Sequence, residues 1–101
     1  MAYKAIYKKR FINKLNKLLD YLHKEWQIEV ASDFIEKLKN RIESIKLNPN
    51  IGSQSGLKNI RSILITKHNR LYYRIEKDKI VIINLIDTRH NPKNNPFNKN
   101  S

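Results

Sequence analysis

The sequence predicts an α+β domain with the element order β-α-α-β-β-β, in which an antiparallel sheet packs on an N-terminal two-helix hairpin. Two consecutive stretches with the apolar spacing of amphipathic helices, and three later stretches with strand character, predict this class. A polar segment that holds both glycines separates the two groups. At 101 residues the chain has room for one hydrophobic core. We therefore predict a single domain over residues 1–86, followed by a basic tail rich in asparagine and proline over residues 87–101.

The first half of the chain predicts one short strand, Tyr3 to Tyr7, and two helices. The first helix begins near Arg10, and its apolar stripe consists of Phe11, Leu15, Leu18, Leu19, Leu22 and Trp26. The second helix carries the stripe Ala31, Phe34, Ile35, Leu38, Ile42 and Ile45. It ends at Asn48-Pro49, because the residue before a proline avoids the helical region. The short link folds the two helices into an antiparallel pair over a shared core. Trp26 could anchor a partner, but packing is its predicted role.

The second half predicts three antiparallel strands after a loop at 48–58. The strands are expected at 59–66, 70–76 and 79–86, with tight turns at His68-Asn69 and Lys77-Asp78. Alternation displays Arg70, Tyr72 and Arg74 on one face of the middle strand and places their neighbours on the core side. The last strand is apolar on both faces, so we expect it at the centre of the sheet, with the helices over one side.

The charge balance predicts a polyanionic partner. The chain has 21 Lys and Arg against 9 Asp and Glu, a formal net charge of +12. An AT-rich coding bias favours lysine, but it also favours glutamate. Codon bias alone therefore does not explain the excess of basic over acidic residues. The segment from Ser44 to Ile75 contains no acidic residue, and its cations are Lys46, Lys58, Arg61, Lys67, Arg70 and Arg74. A positive electrostatic field on one side of the protein attracts anions, but it does not show whether the partner is RNA, DNA or an acidic protein.

Other features exclude whole classes of protein. The chain has no cysteine, which excludes a disulfide framework or a thiolate site and fits a reducing compartment. The longest apolar run, Ile80 to Ile83, cannot cross a bilayer, and the N-terminus lacks the apolar core of a signal peptide, so we expect a soluble cytoplasmic protein with no membrane contact. Three histidines without carboxylates at ligand spacing predict no metal site, and we expect no cofactor.

Several motifs occur in a defined order. A helix from Ala31 to Ile45 is followed by Pro49 and Gly52, Arg61 opens a strand, NRLYYRI occupies 69–75, and the next strand ends in DTRHNP at 87–92. None of these motifs is specific by itself, whereas their order and spacing are. Together they resemble the RelE/ParE superfamily of toxins from bacterial type II toxin–antitoxin modules, over nearly the whole chain.

The resemblance implies one of two activities. ParE-like members inhibit DNA gyrase and are not hydrolases. RelE-like members are metal-independent endoribonucleases that cut mRNA, usually on the ribosome, by driving a ribose 2′-hydroxyl onto the adjacent phosphate. For a ribonuclease, the resemblance implies His90 as acid or base, with Arg89 and Arg70 at the phosphate. In either branch the residues expected to bind nucleic acid or target are Arg61, Lys67, Arg70, Arg74 and Arg89.

Two departures from the ribonuclease pattern favour the ParE-like branch. Ile63 stands where RelE proper has a second strand lysine, and Phe97 stands where a tyrosine is needed. We therefore predict a growth-arresting toxin that acts on gyrase, with a RelE-like mRNA endoribonuclease as the alternative. A plain basic RNA-binding module is a second alternative, although the order α-β-β-β-α of double-stranded RNA-binding domains does not match. The resemblance implies an acidic antitoxin that folds on binding as the partner.

Overall fold

A computed structural model describes residues 3–89, which form a five-stranded sheet with two helices on one face. The elements in chain order are β1 (Lys4–Tyr7), α1 (Lys9–Glu25), α2 (Ile28–Leu47), a single 3-10 turn (Pro49–Ile51), β2 (Ser53–Gln54), β3 (Ile60–Thr66), β4 (Asn69–Glu76) and β5 (Lys79–Asp87). The predicted α+β class is confirmed, and so is the predicted order of a first strand, two helices and then the remaining strands. The predicted loop at 48–58 also contains the 3-10 turn and β2, which are too short to leave a periodic signal.

The strands lie in the order β1-β5-β4-β3-β2. Strands β2 to β5 pair antiparallel as predicted, whereas β1 pairs parallel with β5, with Lys4 opposite Lys79 and Tyr7 opposite Ile82. The sheet is therefore mixed rather than wholly antiparallel, because the chain crosses the sheet through both helices between β1 and the later strands. β5 has a neighbour on each side, in agreement with its two apolar faces, while β4 is the central strand.

Each helix packs its apolar stripe on the sheet, α1 over β5 and α2 over β3. The buried helical side chains are Phe11 of α1 and Ala31, Phe34, Leu38, Ile42 and Ile45 of α2. The predicted packing role of Trp26 is wrong, since its side chain is 57% exposed. The reason is local, because Trp26 lies just after the last turn of α1 in an extended conformation and does not continue the helical stripe. Within residues 3–89, neither helix combines the length and apolar character needed to cross a bilayer.

A β-bulge in β5 changes which side chains face the helices. Tyr72 lies opposite Asn84, whereas Tyr73 lies opposite Ile82, so Ile83 is an extra residue on β5. Before the bulge Ile82 belongs to the core under the helices, and after it Leu85 does. Because the shift is one residue, Asp87 also lies on the helix side, where it borders α1.

The outer face of the sheet, which is the face away from the helices, holds a small second core. Tyr72 and Ile86 are its buried members, and Leu57, Ile60 and Ile83 pack against them. The prediction that Tyr72 is displayed is therefore wrong, since its side chain is only 6% exposed. Alternation placed the ring on the correct face, but it could not show that apolar neighbours from the loop, β3 and β5 cover that face.

Candidate functional site

Arg61, predicted to bind the target, is bonded within the fold. It lies on β3 opposite Tyr73, whose ring belongs to the core under the helices. Arg61 Nη1 donates to the carbonyl oxygen of Gly52 at 2.7 Å and approaches that of Asn50 at 3.5 Å. A guanidinium whose donors point at loop carbonyls has fewer donors left for a ligand. Arg61 therefore ties the segment between α2 and β3 to the sheet.

The Tyr73 hydroxyl completes this connection. It donates to the carbonyl oxygen of Pro49 at 2.7 Å and accepts from the Gly52 N–H at 2.9 Å. Burial raises the pKa of the Tyr73 phenol, and the hydrogen bond from Gly52 and the charge of Arg61 oppose that rise. A Cβ atom on residue 52 would lie 2.5 Å from the Tyr73 hydroxyl oxygen, so the close approach requires glycine. We call Gly52, Arg61 and Tyr73 the loop anchor.

Arg70 and Arg74 lie on the outer face of the sheet. Arg70 stands opposite Ile86, and its Nη1 donates to Ser62 Oγ at 2.8 Å. Arg74 Nε donates to Glu76 Oε2 at 2.5 Å, and its Nη2 forms an ion pair with the same carboxylate. Both side chains are half-buried, so each arginine shows part of its guanidinium to solvent while it remains bonded to a neighbour.

The other predicted cations lie at one end of the sheet. Lys67 is exposed in the turn between β3 and β4, and Thr88 Oγ1 ties this turn to the end of β5 by donating to the Lys67 carbonyl oxygen at 2.9 Å. Arg89 follows β5, and its Nε and Nη2 donate to the Asp87 carboxylate at 3.0 and 2.6 Å. The same carboxylate raises the pKa of the Arg89 guanidinium, which therefore stays charged.

The described residues do not bring the predicted catalytic groups together. Arg70 lies on the outer face, whereas Arg89 borders a surface depression with α1 on the helix side. His90 lies outside the described residues. The catalytic roles of Arg70, Arg89 and His90 stay predictions.

An apolar cavity of about 380 Å³ opens between the end of α1, the start of α2 and the turn between β3 and β4. Its apolar lining consists of Leu18, Leu22, Trp26, Val30 and Phe34. Its polar lining consists of Asp33, Lys37, Thr66, His68, Asn69, Asp87 and Arg89. Tyr21 completes the lining, and the Tyr21 and Trp26 side chains are 53% and 57% exposed. Exposed aromatic side chains around an apolar depression are typical of protein-binding surfaces, and we call this depression the helix cavity.

A second cationic surface lies on α1, and sequence reasoning missed it by counting its members only in the net charge. Lys9, Arg10, Asn13, Lys14 and Lys17 line a shallow depression of about 330 Å³. All five side chains are exposed, and none forms an ion pair with another residue in the range 3–89. The signal was present in the sequence, since Arg10, Lys14 and Lys17 follow the i, i+4, i+7 spacing of one helical face. We call the four cations the α1 track.

These surfaces carry side chains of the types that bind anions and apolar groups. Over residues 3–89, no group of at least 3 His, Cys, Asp or Glu side chains is placed to hold a metal ion. The side chains of these surfaces include lysine and arginine, which donate charged hydrogen bonds, and tyrosine and tryptophan, which offer aromatic faces.

Comparison with known proteins identifies relatives. A family model described as the ParE toxin of type II toxin-antitoxin system, parDE, matches residues 5–92. A search of curated proteins found no match. Among solved structures, the chain is similar to a chromosomal ParDE TA system from P. aeruginosa, with a TM-score of 0.73 and 12% sequence identity, over 85% of this chain and 96% of that one.

Two further solved structures share the fold. The YoeB dimer from Staphylococcus aureus is similar with a TM-score of 0.63 and 14% identity, over 89% of this chain and 100% of that one. The isolated RelE toxin from E. coli is similar with a TM-score of 0.61 and 18% identity, over 89% of this chain and 88% of that one. At such identities the likeness shows the fold alone.

Proposed function

This chain belongs to the ParE toxin family of type II toxin–antitoxin systems, and we propose that it arrests growth by inhibiting DNA gyrase. The observation that carries the proposal is the family match over residues 5–92, which includes both helices and all of the sheet except Lys4. Gyrase inhibition requires a binding surface and no centre for hydrolysis.

The distribution of the strand arginines supports inhibition over RNA cleavage. A ribonuclease of the RelE type needs a base, an acid and cations that converge on one phosphate. In the described residues Arg61 is bonded to the Gly52 carbonyl, Arg70 lies on the outer face, and Arg89 lies on the helix side. Cations separated in this way can contact a protein target, but they do not supply one phosphate with several charges.

We also propose that an acidic antitoxin occupies the helix cavity. The cavity offers apolar side chains and exposed rings, of which Trp26 is the largest, and Lys37 and Arg89 lie at its polar side. A segment that carries apolar residues and carboxylates would fill the depression and neutralise these cations. The solved ParDE system is a toxin–antitoxin system by its description, which supports a partner of this class.

A RelE-like endoribonuclease is the second candidate. Arg70 favours it, because its half-buried guanidinium is fixed by Ser62 Oγ at 2.8 Å on the strand where the resemblance expects a phosphate-binding arginine. The fold likeness to the RelE toxin agrees with this candidate as well as with the first.

A paired assay separates the two candidates. After induction in cells, primer extension maps the 5′ ends of transcripts, and the purified protein is added to a gyrase supercoiling reaction. We expect blocked supercoiling or trapped cleaved DNA, with no new transcript ends. Discrete new mRNA ends within translated frames, with supercoiling unchanged, would contradict gyrase inhibition and support the ribonuclease.

Three variants make the assay sharper. Arg70→Ala and Arg89→Ala should both weaken growth arrest at equal soluble levels, with Lys39→Ala on the exposed face of α2 as the matched control. His90→Ala should leave gyrase inhibition nearly unchanged. For a ribonuclease, loss of an acid or base would instead lower the cleavage rate by about 10²- to 10⁴-fold.

A further inference from the structure

The α1 track is a surface that neither the helix cavity nor the strand arginines explain. Its cations, Lys9, Arg10, Lys14 and Lys17, are exposed and form no ion pair with the other described residues. The contrast with α2 is clear, because α2 carries four acidic and four basic side chains along its length, whereas α1 has no acidic residue before Asp20. The positive charge of α1 is therefore concentrated in its first half. The general excess of basic residues in the chain does not explain this, since the charges of α2 are balanced.

The position of Lys9 and Arg10 opposes the stability of α1. The N-terminal end of a helix carries partial positive charge, so cations there are unfavourable and acids are favourable. α1 begins at Lys9, has no acidic residue in its first turn and has no side-chain cap at Lys8. α2 follows the favourable rule, with Glu29 in its first turn and Lys46 in its last. Because the cations at the start of α1 do not serve the helix, a role in binding is the simpler explanation for them.

The track continues into a groove that contains an aromatic ring. Another depression, of about 470 Å³, shares Lys14 and Lys17 with the shallow depression on α1 and extends to Tyr21, Arg89 and the Asp87 carboxylate that pairs with Arg89. Its floor is partly apolar, since Leu18 and Leu85 line it. Tyr21, Asp87 and Arg89 also line the helix cavity, so the two depressions adjoin. At about 1.5 Å per helical residue, the distance along α1 from Arg10 to Tyr21 is roughly 16 Å. The groove therefore presents a row of cations that leads to a half-exposed tyrosine.

We propose that the α1 track and Tyr21 bind a single-stranded nucleic acid, with its phosphates along the cations and a base stacked on the Tyr21 ring. Grooves that bind single strands combine cations for the backbone with exposed rings for the bases. A duplex keeps its bases paired and would leave the ring without a stacking partner. An acidic peptide uses the aromatic face only where it also carries an apolar residue, whereas every nucleotide brings both a phosphate and a base. The combination of ring and cations therefore selects the single strand.

Fluorescence anisotropy with the purified full chain tests this surface. The probes are labelled single-stranded DNA, RNA of the corresponding sequence, and the DNA duplex, each titrated at several salt concentrations. We expect tighter binding of one or both single strands than of the duplex, and the comparison of DNA with RNA identifies the source. The assay contains no gyrase, so its result does not depend on the proposed target of the toxin.

The first pair of variants tests the cations. The slope of log K against log salt is negative, and Lys14→Gln/Lys17→Gln should make it shallower by about 1.4. Each lost phosphate contact on a single strand removes about 0.7 from its magnitude. Lys39→Gln/Lys58→Gln removes the same charge from exposed sites outside the groove and should leave the slope unchanged. Equal effects of the two double variants would overturn the proposal, because binding would then reflect the net charge alone.

The second pair tests the ring. Tyr21→Ala should weaken single-strand binding by about five- to 150-fold, which is the range measured for loss of one stacked base, while Tyr21→Phe should bind almost as the parent does. Circular dichroism spectra that match the parent would confirm that each variant is folded. Duplex binding as tight as single-strand binding, or displacement by poly-glutamate with no effect of Tyr21→Ala, would overturn the proposal in favour of a duplex or an acidic protein.

Discussion

The loop anchor and the α1 track both use cations, but the two regions differ in what those cations contact. Arg61 in the loop anchor donates to the Gly52 carbonyl oxygen at 2.7 Å beside a fully buried tyrosine. The cations of the α1 track are exposed and form no ion pair in the described range. The segment from Ser44 to Ile75 is free of acidic residues, yet its Arg61 and Arg70 are both bonded to protein oxygens. An excess of basic residues therefore does not measure the charge that a partner can reach.

This difference separates two effects of mutation. Substitution in the loop anchor should change the free energy of unfolding, because it leaves buried donors or acceptors without partners. Substitution in the α1 track should leave stability nearly unchanged and alter binding.

Gly52→Ala should be the most destabilising substitution. Its Cβ atom would lie 2.5 Å from the Tyr73 hydroxyl oxygen and 2.8 Å from the Ser62 carbonyl oxygen, so either the loop or the strand must move. Overpacking of this kind costs about 1–3 kcal/mol, and loss of the tyrosine hydrogen bonds would add to it. Denaturant unfolding measures the change. Gly56→Ala, in the exposed part of the same loop, is the control and should have little effect; equal effects at both glycines would contradict the close approach.

Tyr73→Phe should lower the free energy of unfolding by about 1–3 kcal/mol, since the Pro49 carbonyl and the Gly52 N–H both lose their partner. Urea unfolding of the variant beside the parent is the measurement. Tyr21→Phe, on the exposed face of α1, is the matched control and should be neutral. A neutral result at Tyr73 would mean that the loop anchor does not contribute to stability.

The Tyr73 phenol also predicts a pH dependence. Its pKa is raised in the folded protein because of burial, so the unfolded chain loses this proton first as the pH rises. The stabilisation is complete below the unfolded pKa, about 10, and is lost as the pH rises through the folded pKa. The free energy of unfolding of the parent should therefore fall more steeply above about pH 10 than that of Tyr73→Phe. Parallel pH profiles for the two proteins would contradict this assignment.

Arg61→Met should cost about 1 kcal/mol, because it retains much of the side-chain stem and removes the donor to the Gly52 carbonyl. Lys17→Met on the α1 track removes the same charge and should change stability by less than about 0.5 kcal/mol. Thermal unfolding of the two variants compares the regions directly. If Lys17→Met were as destabilising as Arg61→Met, the α1 track would have a structural role.

The smallest effect should be a gain in stability. Lys9→Glu places a carboxylate in the first turn of α1, where it favours the helix by about 0.3–1 kcal/mol. For a domain of this size we expect a rise of roughly 2–4 °C in Tm for half a kcal/mol. Lys24→Glu in the last turn, where cations are favoured, should have the opposite sign. A loss of stability in Lys9→Glu would show that Lys9 has a favourable contact in the fold.

The helices and strands were predictable because their apolar side chains repeat with the period of each element. The apolar stripe that contains Phe34, Leu38 and Ile42 predicted α2. The polar segment after Pro49, which holds both glycines, predicted the loop into the sheet. The bulge at Ile83 was not predictable, because β5 is apolar on both faces and a shift of one residue leaves no trace in such a pattern. For the same reason the sequence did not show on which side of the sheet Arg89 lies.

The candidate site was less predictable than the fold. Residue type identifies Arg61 as a cation, but its partner is a backbone carbonyl nine positions earlier, which no side-chain pattern reports. The burial of Tyr72 depends on Leu57 and Ile86, which meet only when the loop and β5 are in place. The α1 track was visible as a helical spacing of cations, and it was missed because the cations were treated as a total rather than as positions on a face.

The parallel pair at the edge of the sheet determines when the chain can finish folding. β1 is the first strand to be synthesised, yet its hydrogen-bonding partner is β5, with Lys4 paired to Lys79. A contact between such distant parts of the chain forms late, because a long loop must close before the pair stabilises it. Until β5 has left the ribosome, β1 has no neighbour in the sheet and the core under α1 lacks its floor. Nascent chains interrupted before β5 are therefore expected to lack the native fold, and with it the surfaces that depend on that fold.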